Sequence, residues 1–203
     1  MGITTVTLSL SLGSLVFGYH IASAFADHII FPRFPSRLTR YSWNIFSVLT
    51  YASTFLTYFL LPASFRHQAT AALIFSFPGV ITRYLLSVAL NQRFKSLPAG
   101  TLAANILGTA LLAAFHVLQR TTNPPSPSQN ACSLLQGLID GYCGCLTTVS
   151  TFAVEVRDLR SWKACRYVMI SWGLGQVMMV LIFGSSIWTG HVNKQLQVTC
   201  TFS

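Results

Sequence analysis

Of 203 residues, 13 are Lys or Arg and 4 are Asp or Glu, so 8 % of the chain is charged while 52 % is hydrophobic. A soluble domain carries about 25 % charged residues, and a surface built from this composition would leave large apolar patches in water; a soluble enzyme is nearly ruled out. The net charge of +9 does not point to nucleic acid, because the basic residues fall singly or in small groups between long uncharged stretches.

Those stretches set the fold class. Residues 1–26, 41–65, 96–119 and 167–193 contain no Lys, Arg, Asp or Glu, and 67–92 contains only Arg83. Each is long enough for the ~20 residues with which a helix spans a bilayer. The chain is therefore expected to be an all-α membrane protein with about six spans, over 3–25, 41–62, 69–91, 99–119, 132–155 and 165–189. Pro32 and Pro35, Pro62, and Pro98 punctuate the first three connections. The polar stretch from Arg120 to Asn130, with Pro124, Pro125 and Pro127, reads as an exposed loop. A competing reading takes residues 1–26 as a signal peptide, with Ala22-Ser23-Ala24 as the cleavage site, but the basic n-region is missing.

Orientation follows from the basic residues, which stay cytoplasmic in short loops. Arg33, Arg37, Arg40, Arg93, Lys95, Arg157, Arg160, Lys163 and Arg166 lie in odd-numbered loops, against Arg66, Arg120 and Lys194 elsewhere. That bias places both termini outside. The five cysteines, an odd number scattered through spans and one terminus, imply no disulfide framework. Cys143-Gly144-Cys145 is spaced too tightly for the usual zinc pattern.

The chemistry concentrates in the second half. The third span carries Gly79, Thr82, Arg83 and Tyr84, and the fourth opens Gly100-Thr101 and continues to Asn105, Gly108 and Thr109. The fifth has Gly137, Asp140, Gly141 and Gly144, then Thr147, Thr148, Ser150 and Thr151, then Phe152 and Glu155. Glycine favours a helix break. Unwound backbone in a bilayer is tolerated where it is buried in protein or lines a wet cavity, and its freed carbonyls hold cations. A break near Gly141 to Thr147 is thus a candidate ion site, and the hydroxyls beyond it a candidate polar track. Small residues also serve as close-packing interfaces, and Gly137 and Gly141 already have that spacing. Arg83, if it faces inward, supplies positive potential for an anion; otherwise it snorkels. Asn105 suits a small anion that must exchange its water shell for hydrogen bonds, or else bonds a neighbouring helix. The five histidines form no catalytic grouping.

Gly79-x-x-x-Arg83-Tyr84, Gly100-Thr101-x-x-x-Asn105-x-x-Gly108 and Gly141-x-Cys143-Gly144-x-x-Thr147-Thr148-x-Ser150-Thr151-Phe152-x-x-Glu155, in consecutive spans and in that order, resemble the signature of the CrcB/Fluc fluoride channels. The resemblance covers about residues 68–190, one four-helix unit with a broken helix. It implies passive efflux of fluoride from the cytoplasm without ATP, no enzymatic activity, and a plasma-membrane location. It also implies that residues 1–27 are the last helix of an incomplete first unit, 28–67 an inverting linker helix with flanking loops, and 191–203 an extracellular tail. The first unit would then lie in the same longer chain or in a partner chain.

By matching position, the resemblance makes Asn105 the pore amide and Phe152 a ring whose electropositive edge meets fluoride. Ser150, Thr151 and Thr148 fall in the polar track, and Arg83 lies near the pore entrance. The backbones of Gly144 and Thr147 would hold a structural sodium ion, with no organic cofactor. Val149 stands where the family has a second Phe. A secondary transporter of a small solute and a non-conducting structural partner are the rival readings.

Overall fold

The computed structural model describes residues 9–10, 13–14, 16–21, 23, 36–60, 68–93, 97–120 and 129–190. All the regular structure among these is helical, and the chain is an all-α, multi-pass membrane protein. The described residues between 9 and 23 are helical and exposed; the rest of the first expected span, most of the polar loop after Arg120 and the tail 191–203 lie outside the described residues.

Helix α1 is Arg37–Leu60. Its start is set by Ser36, whose Oγ accepts from the Thr39 N–H at 3.2 Å, an N-cap that satisfies one of the orphan donors of the first turn. Helix α2, Gln68–Asn91, contains Pro78 in its interior. Helix α3, Ala99–Gln119, begins directly after Pro98. The ends of α2 and α3 are tied together, because the Gly100 N–H donates to Asn91 Oδ1 at 2.7 Å.

The expected fifth span is two helices. Helix α4 covers residues 129–146 and includes a π turn over Leu138–Cys143; helix α5 is Ser150–Asp158. Helix α6, Ser161–Trp188, carries a second π turn at Val180–Gly184 and ends near Gly190, whose φ of 75° lies in the left-handed region open to glycine.

Residues 71–91 of α2, all of α3 and all of α6 are long and apolar enough to cross a membrane. A 21-residue helix is about 31 Å long, the thickness of the hydrocarbon core. Helix α1 has the length, with 24 residues, but it is rich in hydroxyls. Helix α4 is at the lower limit of spanning length but is not apolar enough to be a span by composition, and α5, with nine residues, is too short.

Helix α2 is central, packed on α1, α3 and α4, while α3 also meets α6 and α5 lies on α6. The core is small and tight: Ala71, Ala104, Ala113, Cys143, Leu146, Ala153 and Tyr167 have zero exposure. Between helices in lipid no hydrophobic gradient drives association, so close approach and dispersion must do so. Gly141 shows how close. A Cβ there would run into the carbonyl of Ala72.

Cys132 is disulfide-bonded, while among the described residues Cys143, Cys145 and Cys165 are free. No group of three or more His, Cys, Asp or Glu able to hold a metal occurs among the described residues.

Candidate functional site

The helix break does not sit where the glycines suggest. Gly141 remains helical within the π turn and Gly144 is helical too, with φ −62° and ψ −37°. The chain leaves the helix at Thr147, whose φ of −77° and ψ of 150° are extended, and re-enters it at Ser150. The expected break near Gly141 to Thr147 is met at Thr147 and extends to residue 149, while Gly141 and Gly144 stay helical.

The physical reason is a side chain 43 residues away. In a continued helix the Thr148 N–H would bond the Gly144 carbonyl. It donates instead to Asn105 Oδ1 at 2.8 Å, while Asn105 Nδ2 donates to the Thr148 carbonyl at 3.3 Å. The amide of α3 therefore takes both main-chain groups of one residue at the break. This is a strong substitute for a lost ladder bond where water is absent. The last ladder bond of α4 runs from the Thr147 N–H to the Cys143 carbonyl at 2.9 Å, and the Thr147 hydroxyl donates to the same oxygen at 2.9 Å. Close approach of α3 to the break depends on Gly108, where a Cβ would strike Thr147 Cγ2.

Beyond the break the hydroxyls form one string. Thr148 Oγ1 lies 3.3 Å from Ser150 Oγ and 3.3 Å from Thr151 Oγ1, and it accepts from the Thr151 N–H at 3.4 Å. Thr148 is buried, whereas Val149, Ser150 and Thr151 are exposed on this chain's surface. Asn105 has a second amide N–H that no side-chain or backbone acceptor among the described residues takes. A donor and a run of hydroxyls next to an unwound segment can replace the water of a small anion.

Phe152, 8 % exposed, packs its ring on Tyr167, with centroids 4.9 Å apart and planes at 39°. Tyr167 belongs to a group that the sequence does not announce. Its hydroxyl donates to Glu155 Oε2 at 2.8 Å, and the Thr101 hydroxyl donates to Glu155 Oε1 at 2.6 Å. Three helices, α3, α5 and α6, are pinned at one carboxylate. Tyr167 lies 12 residues after Glu155, beyond the turn at 159–160, so no helical spacing links them. The available signal is Glu155 itself, an acid at the end of an apolar span that needs donors.

Arg83 stands apart from this group. It is half-buried on α2, one turn beyond Gly79, and makes no hydrogen bond or ion pair among the described residues. Its neighbour Thr82 faces α4, where the Tyr142 hydroxyl donates to Thr82 Oγ1 at 3.1 Å. Thus the structure brings together Asn105, Thr147, Thr148, Ser150 and Thr151, and places Phe152 beside Tyr167. Gly144 is exposed, and its carbonyl is the one from which Thr148 has been withdrawn.

Residues 70–184 match the family model described as CrcB-like protein, Camphor Resistance (CrcB). The chain is 36 % identical to Fluoride export protein 1 of Neurospora crassa, over 93 % of this chain and 38 % of that protein. It is 42 % identical to Fluoride export protein 1 of Candida albicans, over 59 % of this chain and 32 % of that protein. A Fluoride-specific ion channel FluC from Chromobacterium violaceum is 41 % identical over 40 % of this chain and 60 % of its own length. The chain thus spans about a third of the length of these fungal relatives.

Proposed function

The chain belongs to the CrcB-like family, and from that premise we propose that it forms part of a fluoride-selective channel that lets the anion leave the cytoplasm passively. Hydrogen fluoride enters as a neutral weak acid and dissociates at cytoplasmic pH; an inside-negative potential then drives fluoride outward through an open pore. The single observation that carries the reading is the grip of Asn105 on Thr148 at the helix break, with one amide N–H left over and the hydroxyl string beside it.

In this reading Asn105 donates to fluoride, and Thr148, Ser150 and Thr151 carry the ion onward. Phe152 offers a ring edge and Arg83 raises the potential near the entrance. Selectivity comes from exchanging a strongly held water shell for fixed donors in a narrow path. The freed oxygens at the break suit a hard cation, and we assign the backbones of Gly144 and Thr147 to a structural sodium ion. The exposure of Ser150 and Thr151 supports a second unit that covers them, in the same longer chain or in a partner chain, since hydroxyls are costly against lipid. The membrane concerned is the plasma membrane.

The test is Asn105→Asp. A carboxylate cannot donate to the Thr148 carbonyl and repels an anion, so fluoride efflux from loaded cells or liposomes should be abolished while the protein still inserts. Wild-type efflux from that variant would refute the pore assignment. Flux driven by an imposed proton or sodium gradient would favour a coupled transporter instead.

A further inference from the structure

Helix α1 buries a single stripe. Tyr51 and Thr54 are half-buried and Tyr58 is buried, at positions i, i+3 and i+7, while its other residues are exposed. That spacing is one helical face, and it lies on α2. Thr54 spends its hydroxyl on its own helix, donating to the Thr50 carbonyl at 2.8 Å. Tyr51 does not: its hydroxyl crosses to α2 and donates to the Ile74 carbonyl at 3.1 Å. Its ring stacks on Phe77, with centroids 5.0 Å apart.

Ile74 is four residues before Pro78. Proline has no N–H, so in the interior of α2, away from its last turn, the Ile74 carbonyl is the oxygen whose i+4 ladder donor is missing. In hydrocarbon no water replaces it. The next turn of α2 is held as well. The Thr82 hydroxyl donates to the Pro78 carbonyl at 2.8 Å and accepts from Tyr142 of the α4 π turn at 3.1 Å. A Cβ at Gly79 would come within 2.5 Å of the Tyr142 carbonyl.

We propose that Tyr51 is a positioning residue whose phenol takes the place of the amide that Pro78 lacks, so that α1 docks at one defined turn of α2 and holds that turn against the π turn of α4. Helix α1 is then more than a length of apolar chain between units. Its register is set by a proline in the helix it touches, whatever ion the protein conducts.

The test is a double-mutant cycle in the full chain reconstituted in lipid, read as the midpoint of thermal unfolding. Tyr51→Phe keeps the ring on Phe77 and removes only the O–H. It should lower the midpoint by about 2–6 °C, the shift expected for one unsatisfied buried acceptor. Pro78→Ala restores an N–H four residues from Ile74. In that background Tyr51→Phe should lower the midpoint by less than about 1 °C. An equal fall in both backgrounds, or none beside Pro78, overturns the proposal.

A second readout needs no Pro78 variant. With the isoleucine main-chain carbonyls labelled with carbon-13, Tyr51→Phe should move one labelled infrared band to higher frequency as its hydrogen bond is lost; an unchanged band also overturns the assignment. Both readouts are independent of fluoride, so a failure of fluoride flux in the wild type would count against the functional reading and not against this one.

Discussion

Helices α4 and α6 each contain a π turn, and the two turns sit in opposite settings. In α4 the turn holds Ile139, Gly141 and Cys143 buried, with the Ala72 main chain lying where a Gly141 side chain would be. In α6 the turn has no buried residue, and Val180 and Leu181 are 52 % and 60 % exposed. Its carbonyls are served locally, since Ser185 and Ser186 donate back to the Leu181 and Ile182 carbonyls. The same backbone irregularity admits a backbone-to-backbone approach in one helix and only side-chain contact in the other. What differs is the closeness of the neighbour: the α4 turn lies on α2 with no room for a Cβ at Gly141, whereas the α6 turn meets α3, with Phe183 under the Arg120 guanidinium at 5.3 Å.

The sharpest way to break this comparison is to add one methyl to each helix. Gly141→Ala should drive a Cβ into the Ala72 carbonyl and cost about 3 kcal/mol or more, seen as loss of monodisperse folded protein. Gly184→Ala in the α6 turn, where the nearest atom lies at 3.6 Å, should change stability by less than about 1 kcal/mol. Equal tolerance at both sites would refute the contrast.

Next in size is the carboxylate clamp. Thr101→Val removes the donor to Glu155 Oε1 and should destabilise by about 1.5–3 kcal/mol, measured by thermal unfolding. Gly108→Ala should cost about 1–2 kcal/mol by crowding Thr147 Cγ2. Adding Thr147→Ser, which deletes that methyl and keeps the hydroxyl, should recover most of the loss. The smallest effect belongs to the α6 bulge. Ser186→Ala there should change stability by less than about 0.5 kcal/mol, since the Ser186 hydroxyl serves only its own helix.

These contrasts also show where the sequence was a sufficient guide. Runs of spanning length with at most one charge place α2, α3 and α6 within a few residues, because burial in lipid needs only length and apolarity. Asn105 and the run from Thr147 to Thr151 are conspicuous as polar groups in an apolar setting, and the structure joins them. The break was legible only at Thr147, the end of the expected stretch. Local glycine content pointed to Gly141 and Gly144, but those glycines serve close packing or stay helical, and the break is fixed by Asn105 acting across 43 residues. Tyr167 was equally hidden, since its partner Glu155 is reached only after the chain has turned. Pattern along one helix reports what that helix buries; it carries no record of a hydrogen bond whose other end is on a different helix.

The interruption at residues 147–149 also bears on how the chain enters a membrane. A segment is retained by the insertion machinery when about 20 apolar residues partition together, and neither residues 129–146 nor Ser150–Asp158 meets that requirement alone. Helices α2 and α3 are synthesised first and are apolar enough to insert unaided. They already present Ala72 and Asn105 when α4 emerges. Holding α4 and α5 in the bilayer therefore draws on contact with α2 and α3 as well as on partitioning, and the packing of Gly141 on Ala72 is one such contact.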